Sequence, residues 1–363
     1  MSSNITAASQ QWFSRPDDQR YLSLAELKAA VEQRKAESWT ATPRTADLRV
    51  MADGNRLAVE LYDPTRGQRL AVEPTNWGFG QLCQYAKAPA SYLRTLPAEI
   101  AQIPMQWGLE FAPQREDALI LAQSNGTHEL RAMTSTSYGR IWDLDVVRSV
   151  ERVNADGRWQ IPAASYATTN PKRATTLYAS DRDVFIFLVD PKNPVQVGQD
   201  TLFRGFYTWN SEVGSATFGL TTFLYRYVCD NRIIWGATDV KEVRIRHTGG
   251  APERFAHEGA RYLARYAEES TAKLVEGIQR AQNADIPINA GNGDTVQSWL
   301  QKRGFTKAQA QGSVDAATAE EGKARTVWDV VNGITAYART IPNTNDRVEL
   351  EAKAGNLMDA ATK

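Results

Sequence analysis

The chain has 363 residues, of which 42% are hydrophobic and 23% charged, so it is large and apolar enough to bury a sizeable core. Lysine plus arginine and aspartate plus glutamate both number 42, so net charge supplies no attraction to nucleic acid or membrane, and such binding needs a local patch. Two cysteines and three scattered histidines exclude a disulfide framework and leave little material for a zinc site.

The two cysteines, the polar N-terminus and the missing nucleotide-binding motifs predict a cytoplasmic protein without a cofactor. Residues 1–11 are polar, and no apolar run reaches membrane-spanning length, so no membrane contact is expected. The glycine motifs that cradle nucleotide phosphates are absent from the sequence.

The N-terminal part predicts a flexible arm followed by helices and hairpins. Residues 1–21 are expected to form the arm, and Ser23-Leu24-Ala25-Glu26 predicts the start of a helix that ends near residue 37. Asp53-Gly54-Asn55 and Asn125-Gly126 each separate two alternating apolar segments, which predicts two hairpins. Helices are further predicted within residues 80–96 and 143–153.

The middle of the chain carries the strongest strand signal. β-branched and aromatic residues predict strands at residues 183–190, 203–209, 217–229, 232–235 and 241–247. The apolar run at 217–229 also fits a helix, but its threonine, phenylalanine, tyrosine and valine content favours a strand. Glycine and Asn/Asp residues separate the runs, so we expect an antiparallel meander.

The C-terminal part is predicted to be helical. Pro252 suits the first turn of a long helix that ends near residue 282, and glycines with Pro287 predict a hinge loop at 284–294. The predicted class is α+β: a central antiparallel β-meander followed by a long helix, with a helical C-terminal region. The predicted boundaries are an arm at 1–21, an α+β core at 22–283, the hinge at 284–294 and a helical region at 295–363.

A basic strand in the meander is the leading candidate for a binding site. Alternation places Arg244 and Arg246 on the face opposite Val243 and Ile245, roughly 7 Å apart, a spacing that suits two backbone phosphates. Further basic residues on the predicted track are Lys241, Lys172 and Arg173, and the residues predicted to stack on bases are Tyr207, Trp209, Tyr225 and Tyr227. The alternative is a half-buried sheet whose arginines are solvated and paired to nearby carboxylates.

Two polar segments allow a catalytic interpretation. Glu212, in the run Trp209-Asn210-Ser211-Glu212, is either part of a turn or a general base or metal ligand acting with Asp230 or Asp239. Cys229 is either a buried small hydrophobe or a nucleophile with His247 as its base.

Several blocks of the sequence resemble a known family. The segment GFYTWNSEVGSATFGLTTFLYRYVCDNRIIWG at 205–236 and the block at 130–147 resemble the phage- and plasmid-borne proteins grouped as domain of unknown function 932, as do the helices at 82–96 and 326–337. The resemblance spans roughly residues 20–360, and Arg232 stands where such proteins often have glycine. It implies residence on mobile elements and no assigned activity.

These patterns support three hypotheses about the function of the protein. The first is a mobile-element protein that binds and anneals single-stranded DNA as a homo-oligomer, since a meander followed by a long helix is also the core order of ring-forming annealing proteins. The second is a protein-interaction, host-takeover or anti-defence factor that contacts proteins through exposed aromatic residues. The third is a metal-dependent hydrolase using Glu212. An exposed arginine face would favour DNA binding. An uncharged aromatic patch would favour protein interaction, and a concave acidic pocket would favour the hydrolase.

Overall fold

Two β-sheets, each covered by helices, form most of the described chain. The computed structural model describes residues 15–111, 117–162, 172, 175–198, 200–226, 243–268, 270–288, 291, 293–338, 340–341, 350, 353–358 and 360. At residues 200, 223–226 and 273–274 only the backbone is described. The predicted α+β class is confirmed.

Thirteen strands lie within the described residues. They are β1 (Arg20–Tyr21), β2 (Ser38–Ala41), β3 (Arg49–Asp53), β4 (Arg56–Asp63), β5 (Gln68–Pro74), β6 (Ala118–Ser124), β7 (His128–Ser135), β8 (Leu177–Ala179), β9 (Val184–Val189), β10 (Val195–Val197), β11 (Asp200–Asn210), β12 (Phe218–Arg226) and β13 (Val243–Ile245).

Eleven α-helices and one π-helical turn lie within the described residues. They are α1 (Leu24–Glu37), α2 (Asn76–Tyr85), α3 (Ala90–Leu93), α4 (Ala98–Phe111), α5 (Asp143–Val153), α6 (Ala251–Arg254), a π-helical turn (Phe255–Gly259), α7 (Ala260–Glu268), α8 (Ala272–Asn283), α9 (Val296–Gln301), α10 (Lys307–Glu321) and α11 (Val327–Ala338).

Sheet A is the predicted meander. Its order is β1-β8-β9-β11-β12-β13, with β10 paired to β11, and its described pairs are all antiparallel. The apolar run that fits either element is a strand over Phe218–Arg226, while the strand predicted at 232–235 lies outside the described residues. One face packs on α1, α5 and α7 around a hydrophobic core.

Sheet B contains both predicted hairpins. Its order is β2-β6-β7-β5-β4-β3, and every pair is antiparallel except β5–β7. Gly54 and Gly126 have φ of +56° and +98°, the left-handed region that the two predicted turns require. Helices α2, α3 and α4 bury one face of the sheet in a second core. The sequence predicted the hairpins but not that they join one sheet.

Local signals account for the first helix. Ser23 caps α1 by accepting a hydrogen bond from the Glu26 backbone amide, and the Glu26 carboxylate accepts from the amide of Leu22, one residue earlier than a capping box predicts. Residues 15–21, the described part of the predicted arm, are held in place: β1 pairs with β8, and Arg15 forms an ion pair with Asp183 at 2.6 Å. Residues 1–14 lie outside the described residues.

The long helix predicted from Pro252 is divided into two parts. The first runs from Ala251 through the π-helical turn to Glu268, and α8 begins at Ala272. The two parts pack against different cores: Phe255 and Leu263 join the sheet A core, whereas Ile278 packs among the C-terminal helices. Periodicity along one apolar face does not distinguish one long helix from two successive helices with similar apolar faces.

One hydrophobic cluster crosses the predicted hinge. It joins α8 and β10 to α9, α10 and α11, and Ile286 within the predicted hinge is only 4% exposed. The Ile286 amide donates to the carbonyl of Arg325, and the Val327 amide donates to that of Ala284. The domain boundaries stay a prediction, but the first part of the hinge packs inside this cluster.

Candidate functional site

Sheet A places the predicted arginines and two predicted aromatic residues on one face. Trp209 pairs with Gly219, which pairs with Arg244, so these positions lie side by side across three strands. Arg244 and Arg246 are exposed, whereas Ile245 between them is buried. The predicted alternation of this strand is therefore confirmed.

The aromatic residues of that face form a covered ladder. Tyr178, Phe185, Tyr207 and Trp209 follow one another with ring centroids 5.6 to 6.0 Å apart, and Trp209 lies over Gly219. Tyr207 is 1% exposed and Trp209 is 8% exposed. A base cannot stack on a covered ring, so the predicted stacking role of these two residues is wrong for this conformation. Alternation predicts which residues share a face but not what covers it.

The other predicted binding residues do not extend the arginine pair. Lys172 lies against β1, where its ammonium donates to the carbonyl of Asp17. Strands β1 and β13 are the outermost described strands of sheet A and lie about 24 Å apart at roughly 4.8 Å per strand, so Lys172 and Arg244 do not form one track. Tyr225 is opposite Phe203 in β11, but its side chain is not described. Arg173, Tyr227 and Lys241 lie outside the described residues.

A buried ionic cluster connects the two sheets. Arg131 of β7 and Glu212, just after β11, form an ion pair at 2.6 Å, and both side chains are at most 3% exposed. Glu212 also accepts a hydrogen bond from the Asp143 amide at the start of α5. Burial alone would raise the pKa of Glu212, but the charges of Arg131 and Arg34 hold it below the ordinary value. Glu212 is therefore the buried anion of the cluster.

Asp143 is the second acid of the cluster. Its Oδ1 accepts a 2.7 Å hydrogen bond from Asn210, and its Oδ2 lies 3.8 Å from the guanidinium of Arg34. Complete burial, together with the negative charge of Glu212, raises the pKa of Asp143 well above its ordinary value. The two acids thus have pKa shifts in opposite directions, because the guanidinium of Arg131 lies 2.6 Å from Glu212, whereas that of Arg34 lies 3.8 Å from Asp143.

Aromatic rings and a histidine cover one side of the cluster. Tyr138 stacks on His247 with centroids 5.0 Å apart, and the Arg140 guanidinium lies over the rings of Tyr138 and Trp142. Arg140 also donates to the Glu212 carbonyl, and Tyr138 donates to the carbonyl of Ser211. The contacts join β7, the start of α5 and the β11–β12 turn, so the cluster acts as a structural junction.

These contacts bear on the two catalytic interpretations. Glu212 does lie in a turn, as one reading had it, but its carboxylate points inward onto Arg131 and is unable to reach a solvent-borne substrate in this conformation. Asp230, Asp239 and Cys229 lie outside the described residues. Within the described part of the chain, no three His, Cys, Asp or Glu side chains are grouped as metal ligands.

Two cavities open on the described surface. One of about 360 Å³ lies beside Tyr138 and Gly214, and its lining includes Gln81, Lys87 and Ser135 but no acid. The other, of about 590 Å³, lies between α5 and α7 and is lined by five alanines, three arginines and two acids. Neither is the concave acidic pocket that a hydrolase would favour.

Helix α4 carries a surface that sequence reasoning missed. Its four large exposed apolar residues, here called the α4 stripe, are Ile100, Ile103, Trp107 and Phe111, and they are 51%, 62%, 64% and 57% exposed. Their spacing of three, four and four residues puts them on one side of the helix. Trp107 and Phe111 touch, with centroids 6.0 Å apart. That spacing was readable in the sequence, but the opposite side of α4 is apolar too, which hides the period.

The opposite side of α4 packs onto sheet B. Ala101, Met105 and Leu109 belong to its core. The Gln106 carboxamide accepts from the Val50 amide and donates to the Leu48 carbonyl, and Gln102 accepts from the Ala52 amide. These glutamines satisfy the free edge of β3, so α4 covers an edge that would otherwise pair with another chain.

A family model described as a domain of unknown function, DUF932, matches residues 168–354, just over half of the chain. The chain belongs to the DUF932 family. No curated protein and no solved structure matches it.

The DUF932 match covers sheet A from β8 onward and the helices up to residue 354. It includes the resembling block at 205–236 but neither the block at 130–147 nor sheet B. The wider resemblance from residue 20 stays a prediction. The ionic cluster therefore joins Glu212, inside the matched region, to Arg131 and Asp143 outside it.

Helix α4 and its stripe lie outside the DUF932 match, and α4 packs on sheet B. No helix of the described residues is long and apolar enough to cross a bilayer. Helix α4 itself lies on the edge of sheet B, along β3.

Proposed function

We propose that this protein is a protein-binding factor whose contact surface is the α4 stripe. The observation that carries the proposal is the exposure of four large apolar side chains on one side of a single helix. At these exposures Trp107 and Phe111 alone present roughly 200–300 Å² of ring surface, and the isoleucines enlarge it. Contiguous apolar patches of a few hundred Å² on a protein surface mark interaction sites.

Two further observations support protein binding over a catalytic role. The stripe contains a tryptophan and a phenylalanine, residue types that are enriched at protein interfaces. It is the uncharged aromatic patch that distinguishes the protein-interaction hypothesis from the others. The proposal includes the residence on mobile elements that the family resemblance implies. A protein-binding factor in that setting would serve host takeover or anti-defence.

Site-specific photo-crosslinking tests the proposal. A photoreactive residue at position 103 is expected to form one dominant adduct with another protein in cells that carry the gene. The matched control is the same residue at Tyr62, which is 55% exposed on β4. Trp107→Ser with Phe111→Ser, made in the protein that carries the photoreactive residue at 103, should abolish the adduct without lowering the thermal midpoint, because both side chains are exposed. Equal labelling from positions 62 and 103 would contradict a specific surface.

Single-stranded DNA binding, for recombination or replication, is a second candidate, supported by the exposed Arg244 and Arg246 on the outer face of β13. With Tyr207 and Trp209 covered, the affinity would come from phosphate contacts, so binding should be independent of base sequence and sensitive to salt. Arg244→Ala with Arg246→Ala should then reduce the salt slope by roughly 0.7 for each lost contact.

A matched double variant makes this second test specific. Arg56→Ala with Arg69→Ala removes two arginines that are 71% and 64% exposed on sheet B. Fluorescence anisotropy with a labelled oligonucleotide compares the two variants. Equal losses would indicate a nonspecific charge effect, and no binding by the unaltered protein at low salt rejects this candidate.

A further inference from the structure

The polar residues of α4 all lie on one border of the stripe. At about 100° per residue, Gln102, Gln106, Glu99 and Glu110 fall within one arc about 80° wide. The glutamines turn toward β3, and the two glutamates lie next to Ile103 at the border of the stripe. The stripe is therefore an apolar strip with acid on one side.

Helix α4 has two apolar sides, and only one of them is buried. Ala101, Met105 and Leu109 face the sheet B core, while the stripe lies about 150° away around the helix. A helix that is apolar nearly all round is ordinarily buried all round. Sheet B therefore buries one side of α4. The exposed side, the α4 stripe, has the composition of the core of a protein interface.

The charges of α4 argue against a lipid surface as the occupant. Helices that lie on membranes carry lysine and arginine on their polar face, because the lipid surface is anionic. Residues 98–111 contain two glutamates and neither lysine nor arginine. An anionic bilayer would repel this border.

The same charges argue against a second copy of the chain. A two-fold symmetric contact places the same surface on both sides of the interface. Two α4 helices packed antiparallel along their stripes would bring Glu99 of one copy beside Glu110 of the other. Like charges at that spacing destabilise a helical pair, whereas lysine or arginine at the same positions stabilises it.

We propose that the α4 stripe binds an amphipathic helix of another protein whose apolar face is bordered by lysine or arginine. This inference rests on the protein-binding function proposed above and names the chemistry of the partner. The partner's apolar side chains would pack between Ile103 and Trp107, and its basic border would face Glu99 and Glu110. Attraction at the border sets the orientation of the bound helix and weakens as salt rises.

A pair of designed helical peptides tests the partner's chemistry. The two have the same apolar face, one with lysine and the other with glutamate along its border, and their binding is measured by anisotropy of an attached dye. The lysine peptide should bind the unaltered protein roughly tenfold more tightly at low salt, since two attractive contacts replace two repulsive ones. Glu99→Lys with Glu110→Lys should reverse the preference.

Controls keep the test interpretable. Glu110 is half-buried and accepts from Gln106 at 2.8 Å, so Glu99→Lys alone provides a second variant should the double variant unfold; it should reduce the preference by about half on a logarithmic scale. Glu253→Lys, an exposed glutamate at the start of α6, should leave the preference unchanged.

The remaining outcomes separate this inference from the proposed function. Equal binding of both peptides, lost in Ile103→Ser with Trp107→Ser, overturns the basic-partner inference and leaves protein binding in place. Binding of neither peptide, with concentration-dependent dimers that the serine variant abolishes, overturns it in favour of a second copy. Binding of neither peptide and no self-association overturns both the inference and the role of the stripe.

Discussion

At the scale of single residues, the buried acids of the ionic cluster differ in what they stabilise. Glu212 neutralises Arg131 at 2.6 Å, and both are removed from water. Asp143 has a raised pKa and is 3.8 Å from Arg34, so less of its negative charge is compensated. The removal of each charge should therefore have a different effect on the free energy of unfolding.

Glu212→Gln should cost about 3–5 kcal/mol of stability, because it leaves the Arg131 guanidinium buried without its counter-ion. Asp143→Asn is the matched isosteric change, and it should cost no more than about 1 kcal/mol because the Asn210 hydrogen bond can be kept. Denaturant unfolding of both variants measures the difference. Equal costs would show that the Glu212–Arg131 pair is not the principal ionic contact.

His247 should make stability depend on pH. Burial lowers its pKa below 6.5, although the Gly139 carbonyl, which lies 3.1 Å from Nδ1, opposes this shift. Between the two pKa values the unfolded chain binds more protons than the folded one, so stability is complete above pH 6.5 and declines as pH falls below it.

His247→Asn tests this pH dependence, since the asparagine amide can still donate to Gly139 but does not titrate. The loss of stability on acidification, with a slope of at most about 1.4 kcal/mol per pH unit, should be smaller in the variant. The comparison with unaltered protein cancels the contribution of Asp143, which is present in both. Parallel pH profiles of the two proteins would rule out His247 as the cause.

At the scale of elements, a glycine determines how closely α4 approaches its neighbours. A Cβ added at Gly108 would lie 1.9 Å from the carbonyl oxygen of Ala86, a backbone atom that is unable to move aside as a side chain can. Gly108 thus lets α4 cross directly behind α2 and so place the stripe outward. The predicted homo-oligomerisation stays a prediction.

Gly108→Ala should therefore destabilise the protein by about 2–3 kcal/mol through overpacking at the α4 contact. Gly80→Ala is the matched control, because a Cβ there meets only the end of the Arg94 side chain at 4.0 Å. In the α2 helix this control should stabilise by about 0.5–1 kcal/mol, since alanine loses less backbone entropy than glycine. Thermal unfolding distinguishes the two, and similar midpoints would contradict the close packing of α4.

At the scale of the whole molecule, the C-terminal helices and α8 share one core. Ile278 and Ala281 of α8 are fully buried in it, and the backbone pairing of Asp285 with Thr326 continues the contact past the helix. A cut in the predicted hinge would therefore not separate two independent domains.

Limited proteolysis should cut first within residues 289–294, where Gly291 and Gly293 lie beyond the paired segment. The two fragments should then elute together in gel filtration and separate only in denaturant, because α8 remains packed on α11. Cleavage inside α8, or fragments that separate without denaturant, would contradict this arrangement. Mass spectrometry of the cut products identifies the site.

Local chemistry was sufficient for much of this fold. Ser23 begins α1, Gly54 and Gly126 form their turns, and the alternation around Ile245 separates Arg244 and Arg246 from the core. Each of these features depends on residues close together in the chain, whose conformational and hydrogen-bonding preferences act over a few residues. The family, too, could be recognised from contiguous sequence.

Only the tertiary structure decided what each surface meets. Tyr207 and Trp209 have the composition of a stacking face and are covered, Lys172 and Arg244 lie on opposite sheet edges, and Glu212 points onto Arg131. The α4 stripe has the composition of a core and is exposed. Periodicity determines which side chains share a face, but long-range packing determines whether that face meets protein or water, and residues distant in sequence supply that packing.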